Sequence, residues 1–207
     1  MRVVVVTGGV APQFEHVSTI LSECDRVYAA DSGFDWCQSN DVYVNVLVGD
    51  MDSIKTENTQ AVDRVYRFPR AKDYTDTELA IHRARTDGAT HITLIGGGGG
   101  RLDHVIALLY LFSRPTAPQT WITDSDYVEY VTSVWNVELP VNTRISIFPV
   151  GQPCAKLTSN GLHWNLDGLN WNMGDIGISN YNDSRAVNIT VHSGSIIVVR
   201  SLHSAIG

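Results

Sequence analysis

The sequence predicts a parallel α/β domain followed by an all-β domain. Three observations carry this. Through residues 1–123, short β-branched runs alternate with segments of helical spacing, the pattern of a parallel sheet covered by helices. From residue 127 onward convincing helical spacing stops. Short alternating runs take over, separated by turns such as Asn160-Gly161, Asp167-Gly168 and Ser193-Gly194. Several strands of the first half end in Asp-bearing or Gly-rich loops, where open α/β sheets bind ligands. The expected domains are residues 1–125 and 126–207.

Residues 2–6 form an unbroken apolar run that suits a strand buried on both faces, and Gly8-Gly9 ends it. Residues 14–22 space Phe14, Val17, Ile20 and Leu21 as one helix face. Residues 26–30 are a second strand, stopped at Asp31-Ser32-Gly33, and residues 44–48 a third, stopped at Gly49-Asp50-Met51-Asp52-Ser53. Residues 65–68 are a fourth, before Pro69. Thr75-Asp76-Thr77-Glu78 is a capping box, and Asp87-Gly88 stops the helix it opens. Residues 91–95 are a fifth strand, followed by five glycines, and residues 105–112 a further helix. The breaker-rich residues 113–118 lead to a last strand at 121–123. Strands at 127–131, 144–148, 177–179, 187–191 and 195–200 then read as a small antiparallel sandwich or barrel.

Composition narrows the function. Of 207 residues, 43% are hydrophobic and 18% charged, so the chain can bury a core. Lys and Arg total 15 against 22 Asp and Glu, a net charge of -7. Such a chain is poorly suited to nucleic acid, whose phosphates are held by clustered basic residues. A phosphorylated small molecule remains open if a divalent cation stands between carboxylate and phosphate. The longest apolar run, residues 105–112, falls far short of the ~20 residues of a membrane helix. Residues 3–6 are too short for the apolar region of a signal peptide. Cys24, Cys37 and Cys154 form no CxxC pair, which argues against disulfides or structural zinc and for a reducing cytoplasm.

Three constellations can carry chemistry. Asp50 and Asp52 flank Met51 just past a strand, and hard oxygen donors of this kind suit Mg²⁺; an isolated Asp-x-Asp also serves as a solvated turn. Lys72-Asp73-Tyr74-Thr75-Asp76 places Asp76 in a first helical turn, where the dipole favours a carboxylate. Asp73 and Asp76 are expected to face the same space as Asp50 and Asp52, with Lys72 as a phosphate-seeking cation. Gly96 to Gly100, then Arg101-Leu102-Asp103-His104, offers backbone N–H groups and a guanidinium to phosphate oxygens, but fits neither a Walker A loop nor GxGxxG. Asp31 alone reads as a turn former. Together the six carboxylates Asp31, Asp50, Asp52, Asp73, Asp76 and Asp103 fall on four strand-end loops and fit metal-assisted phosphoryl or nucleotidyl transfer. His16, His82, His91, His163, His192 and His203 form no metal-ligand pattern and are expected to be structural or at the surface.

In this order and spacing, Ala30-Asp31-Ser32-Gly33, Gly49-Asp50-Met51-Asp52-Ser53, Asp73-Tyr74-Thr75-Asp76 and Gly99-Gly100-Arg101-Leu102-Asp103-His104 resemble the thiamine pyrophosphokinase family. So do Pro149-Val150-Gly151-Gln152-Pro153-Cys154, Gly161-Leu162-His163-Trp164-Asn165-Leu166 and Ile178-Ser179-Asn180, and the likeness runs through nearly the whole chain. It implies a Rossmann-like parallel α/β domain followed by an antiparallel β-sandwich. It implies transfer of the pyrophosphoryl group of ATP to the hydroxyl of thiamine, giving AMP and thiamine diphosphate. By the same resemblance Asp31, Asp50, Asp52 and Asp76 hold Mg²⁺, and Asp50, Asp52, Asp73, Asp76 and Asp103 form the catalytic set. Gly98, Gly99, Gly100, Arg101, Asp103, His104 and Lys72 would hold ATP. Trp164, Ser179 and Asn180 would contact thiamine, with Trp171 a competitor for the stacking role. A cytoplasmic homodimer with thiamine at the subunit interface is also implied. Ser32 stands where a second glycine is common in the family, and Lys72 and His104 where some relatives carry glutamine; none of these removes a carboxylate. A metal-dependent phosphohydrolase, or a non-catalytic thiamine or nucleotide sensor, are the competing readings.

Overall fold

The computed structural model describes residues 1–52, 62–151, 154–168 and 170–202. Ser53, Gln152, Pro153 and His203, named above, lie outside them. The chain divides into two compact units, Met1–Leu111 with Thr120–Asp124, and Phe112–Gln119 with Ser125–Gly207.

The first unit contains strands β1 (Arg2–Val6), β2 (Arg26–Ala30), β3 (Val44–Gly49), β4 (Val62–Arg67), β5 (His91–Ile95) and β6 (Thr120–Ile122). Every pairing among them is parallel, in the order β6-β5-β1-β2-β3-β4. The strand order turns at β1, which carries β2 on one side and β5 on the other. A crevice is expected outside the carboxyl ends of strands at such a point. The helices are α1 (Phe14–Glu23), α2 (Gly33–Ser39), α3 (Asp76–Thr86) and α4 (Leu102–Tyr110). α2 and α3 pack on β1, β2 and β3. The strands are buried along almost their whole length in β1, β2, β3 and β5, as their continuous apolar runs require.

The capping box forms. Thr75 Oγ1 accepts from Glu78 N at 3.2 Å and Glu78 Oε2 accepts from Thr75 N at 2.8 Å. A bond of 2.6 Å between the Thr7 and Thr77 hydroxyls ties the first turn of α3 to the end of β1. β4 begins three residues earlier than expected, at Val62, and two helices also differ from expectation. α4 begins at Leu102 and ends at Tyr110, earlier than its apolar run, because Arg101-Leu102-Asp103 already takes up the first turn. α2 was not legible, since Asp31-Ser32-Gly33 reads as a turn. Gly33 opens the helix because a Cβ there would lie 2.3 Å from the Val6 carbonyl oxygen.

The second unit contains β7 (Asp126–Val131), β8 (Val134–Glu138), β9 (Arg144–Pro149), β10 (Cys154–Asn160), β11 (Asn170–Asn172), β12 (Gly177–Tyr181), β13 (Ala186–Ser193) and β14 (Ile196–Ser201). The antiparallel run β12-β9-β14-β7 and the separate antiparallel sheet β11-β10-β13-β8 share one core. Ile145, Ile147 and Ile196 come from the first, and Trp135, Leu157 and Ile189 from the second. β8, β10 and β11 were not expected, because Cys154–Asn160 and Asn170–Asn172 carry few apolar residues. No helix among the described residues is long and apolar enough to cross a membrane.

Candidate active site

The carboxyl ends of β2 and β3 bring Asp31, Asp50 and Asp52 together. One carboxylate oxygen of each lies within 4.8 Å of the others. The backbone is built for this. Asp31 and Met51 adopt positive φ, 47° and 68°, a conformation uncommon outside glycine and found where function holds strain. Between them, Gly49 has φ +155°, and a Cβ there would press on Asp31 Cβ and Asp76 Oδ1, each at 3.3 Å. A side chain at this position would push the acidic groups apart. Asp50 Oδ1 accepts from Asp52 N at 3.1 Å, which closes the loop.

Asp76, at the start of α3, joins the group through Lys72. The Lys72 ammonium lies 3.1 Å from Asp76 Oδ1 and 4.0 Å from Asp50 Oδ2, and donates to the Pro69 carbonyl at 3.2 Å. Its side chain is only 12% exposed. It is a fixed positive charge set among the acids. Arg70, far more exposed, lies 3.5 Å from Asp52. The titrations follow the geometry. The Asp52 backbone N–H holds Asp50 below the usual carboxylate range, with Lys72 assisting. The hydrogen bond to Asp50 pushes Asp52 up. Burial pushes Asp76 up, against the pull of Lys72.

Hard oxygen donors this close repel one another unless a cation stands among them. The donor set therefore fits Mg²⁺, which takes one or two carboxylates plus phosphate oxygens. Asp73 is exposed ahead of α3. Asp103 lies apart from this cluster of carboxylates and pairs instead with Arg101, at 3.1 Å from Nε and 2.5 Å from Nη2. That pairing pulls Asp103 below the ordinary range. Both side chains are well exposed. His104 is exposed nearby.

The glycine run divides in two. Gly97 N–H donates to Gly8 O at 2.9 Å, and Gly98 exchanges both backbone bonds with Val10. Gly96 to Gly98 are buried; the Gly96 N–H donates to Ile122 O at 3.0 Å, while Gly97 and Gly98 tie this loop to the one after β1. Gly99 and Gly100 are exposed. The N–H of Gly98 is therefore spent within the chain.

In the second unit, Trp171 belongs to the core at 8% exposure, whereas Trp164 is 55% exposed. Of these two tryptophans, Trp164 is the one with an open face. Ser179 is exposed at the positive φ of 60°. Asn180 is 5% exposed, and its amide is committed to the chain. Its Oδ1 accepts from Trp164 N at 3.1 Å and Tyr181 N at 2.9 Å, and its Nδ2 donates to Trp164 O at 2.8 Å. It holds the backbone of the Trp164 loop. Sequence reasoning gave His163 only a structural or surface place and did not single out Tyr181 or Asp183, which gather with it around Trp164. The His-Trp adjacency was the one signal for them.

The family model for the thiamin pyrophosphokinase catalytic domain matches residues 17–123, and that for the vitamin B1 binding domain of the same enzymes matches residues 136–196. The chain is 26% identical over 188 residues to thiamine pyrophosphokinase 2 of Oryza sativa subsp. japonica, covering 82% of this chain and 69% of that protein. It is 26% identical over 163 residues to the thiamine pyrophosphokinase of Bacillus subtilis, covering 74% and 76%. The crystal structure of the Bacillus subtilis thiamine pyrophosphokinase shares the fold, with a TM-score of 0.82, 23% identity and coverage of 97% and 99%.

Proposed function

The chain belongs to the thiamin pyrophosphokinase family and is an enzyme of that class; we propose that it transfers the pyrophosphoryl group of ATP to the hydroxyl of thiamine through a Mg²⁺ ion held by Asp31, Asp50, Asp52 and Asp76. The observation that carries this reading is the convergence of Asp31, Asp50 and Asp52 within 4.8 Å beside the Lys72–Asp76 pair. Mg²⁺ bound there supplies charge neutralisation at the phosphate oxygens.

The chain's own residues do the rest. Lys72, Arg101 and the backbone N–H groups of the exposed Gly99 and Gly100 orient the phosphates. The thiamine hydroxyl oxygen bonds to the β-phosphorus, the bond from that phosphorus to the α-phosphate oxygen breaks, and AMP leaves. The hydroxyl proton passes to a carboxylate, for which Asp73 and Asp103 are the candidates. Trp164 stacks on the cationic thiamine, an arrangement that suits an aromatic face, and Ser179 lines the same surface. Asn180 supports it from behind.

The architecture is read as a Rossmann-like domain followed by a β-sandwich, supported by the parallel strand order and by the core shared between two antiparallel sheets. A cytoplasmic homodimer with thiamine at the subunit interface completes the reading. Exposed Ile176 and Ile178 beside Ser179 support an interface there.

Chromatographic assay of the purified protein with ATP, Mg²⁺ and thiamine tests the function. AMP and thiamine diphosphate should form in equal amounts, and neither without thiamine or Mg²⁺. Nucleotide breakdown independent of thiamine would make the chain a phosphohydrolase. Saturable thiamine binding without turnover would make it a sensor.

A further inference from the structure

His163 has no role in the reading above, yet its ring is held on several sides by the groups around Trp164. Its ring stacks on Tyr181 at a centroid distance of 4.4 Å and an interplanar angle of 17°. The Trp164 ring stands nearly perpendicular to both, 5.0 Å from His163 at 83° and 5.4 Å from Tyr181 at 78°. These are the offset and edge-on geometries that aromatic rings favour. Asp183 approaches His163 Nδ1 at 3.0 Å. An ionised carboxylate only accepts, so Nδ1 carries the proton, and the bond fixes the flip of the ring. The backbone closes the arrangement, with His163 N donating to Tyr181 O at 2.8 Å.

We propose that His163, oriented by Asp183 and stacked on Tyr181, is a positioning residue that sets the tilt of Trp164 for thiamine. This rests on the reading of Trp164 as the stacking face. A tryptophan that is 55% exposed would otherwise have rotamer freedom, and every ligand that stacks on it would have to freeze that freedom. The His163–Tyr181 stack removes it beforehand. Asn180 fixes only the Trp164 backbone; the side chain is fixed by the two rings.

The test is a double-mutant cycle on the full chain. His163→Ala, Asp183→Ala, Trp164→Ala and the pair His163→Ala/Trp164→Ala are compared by thiamine KM, ATP KM, kcat and melting temperature, with His163→Phe as the conservative variant. An aromatic pair of this geometry corresponds to roughly a two- to tenfold effect. His163→Ala is expected to raise thiamine KM by about that factor while ATP KM holds. Asp183→Ala should give a smaller rise, and His163→Phe should restore most of the loss by keeping the stack. In the Trp164→Ala background, removing His163 should add nothing. Additive effects in the cycle, or equal shifts in both KM values, would overturn the positioning role while leaving the Trp164 assignment in place. An unchanged thiamine KM in Trp164→Ala would instead remove the stacking face itself, and this proposal with it.

Discussion

Replacing Lys72 with glutamine separates two roles of one side chain, and the two effects have opposite signs. The ammonium lies 3.1 Å from Asp76 and 4.0 Å from Asp50. At an effective dielectric constant of about 20, these pairs attract by about 5 and about 4 kcal/mol in gross terms. Dehydration of a side chain only 12% exposed offsets much of this. Glutamine also keeps one hydrogen bond to the Pro69 carbonyl within reach. A net loss of about 2 kcal/mol is expected for the metal-free protein, which corresponds to a drop in melting temperature of roughly 4–8 °C for a chain of this size. The carboxylates left without their internal cation should then bind Mg²⁺ more tightly. The assay is a thermal melt in chelator and across a Mg²⁺ series, with calorimetric titration of Mg²⁺ alongside. Lys72→Gln should start lower and gain more from Mg²⁺. An unchanged melting temperature in chelator together with weaker Mg²⁺ binding would refute the view of Lys72 as a resident counter-ion.

Gly49→Ala should lower stability by about 1–3 kcal/mol, because its backbone conformation disfavours side chains, and should weaken Mg²⁺ binding as Asp31 and Asp76 are pushed aside; calorimetry and thermal melts check both. Arg101→Ala should raise ATP KM more than thiamine KM and leave the melting temperature near that of the wild type, since its pairing with Asp103 is exposed to solvent. Asp87, which accepts from Arg83 and from Tyr28 Oη at 2.7 Å, is held below the ordinary carboxylate range chiefly by Arg83. Burial, with Asp87 assisting, pushes Tyr28 up to about 12, so it stays a donor. Asp87→Asn should cost about 1–3 kcal/mol near neutrality. Because the folded-state value of Asp87 is depressed, its contribution is present above the unfolded-state value and fades as the pH falls through the folded one. The gap between wild type and variant in denaturant titrations should therefore narrow on acidification.

Much of this was written in the sequence. Arg2–Val6, Arg26–Ala30 and His91–Ile95 are strands with the expected bounds, because a strand buried on both faces must be apolar throughout. The Thr75–Glu78 capping box is a local device and was legible for that reason. The acidic loops follow directly from the strand ends. What could not be read depends on contacts between distant segments. Gly33 looks like a turn until the Val6 carbonyl beside it is known. Five glycines look alike until two of them, Gly97 and Gly98, are seen bonded to the loop after β1. Trp164 and Trp171 sit in similar Asn-rich surroundings, and only packing separates the exposed ring from the core one. The insertion of Lys72 between Asp50 and Asp76 likewise needs the fold to bring two loops together.

The central claim is that Asp50 and Asp52, with Asp31, hold the divalent cation that the transfer requires. Titration of Mn²⁺ into the full chain with ATP, followed by electron paramagnetic resonance, tests it most directly. The wild type should show a saturable bound ion, and Asp50→Asn and Asp52→Asn should each lose it while keeping the wild-type circular dichroism spectrum. Undiminished Mn²⁺ binding in both folded variants would contradict the assignment and move the metal elsewhere in the chain.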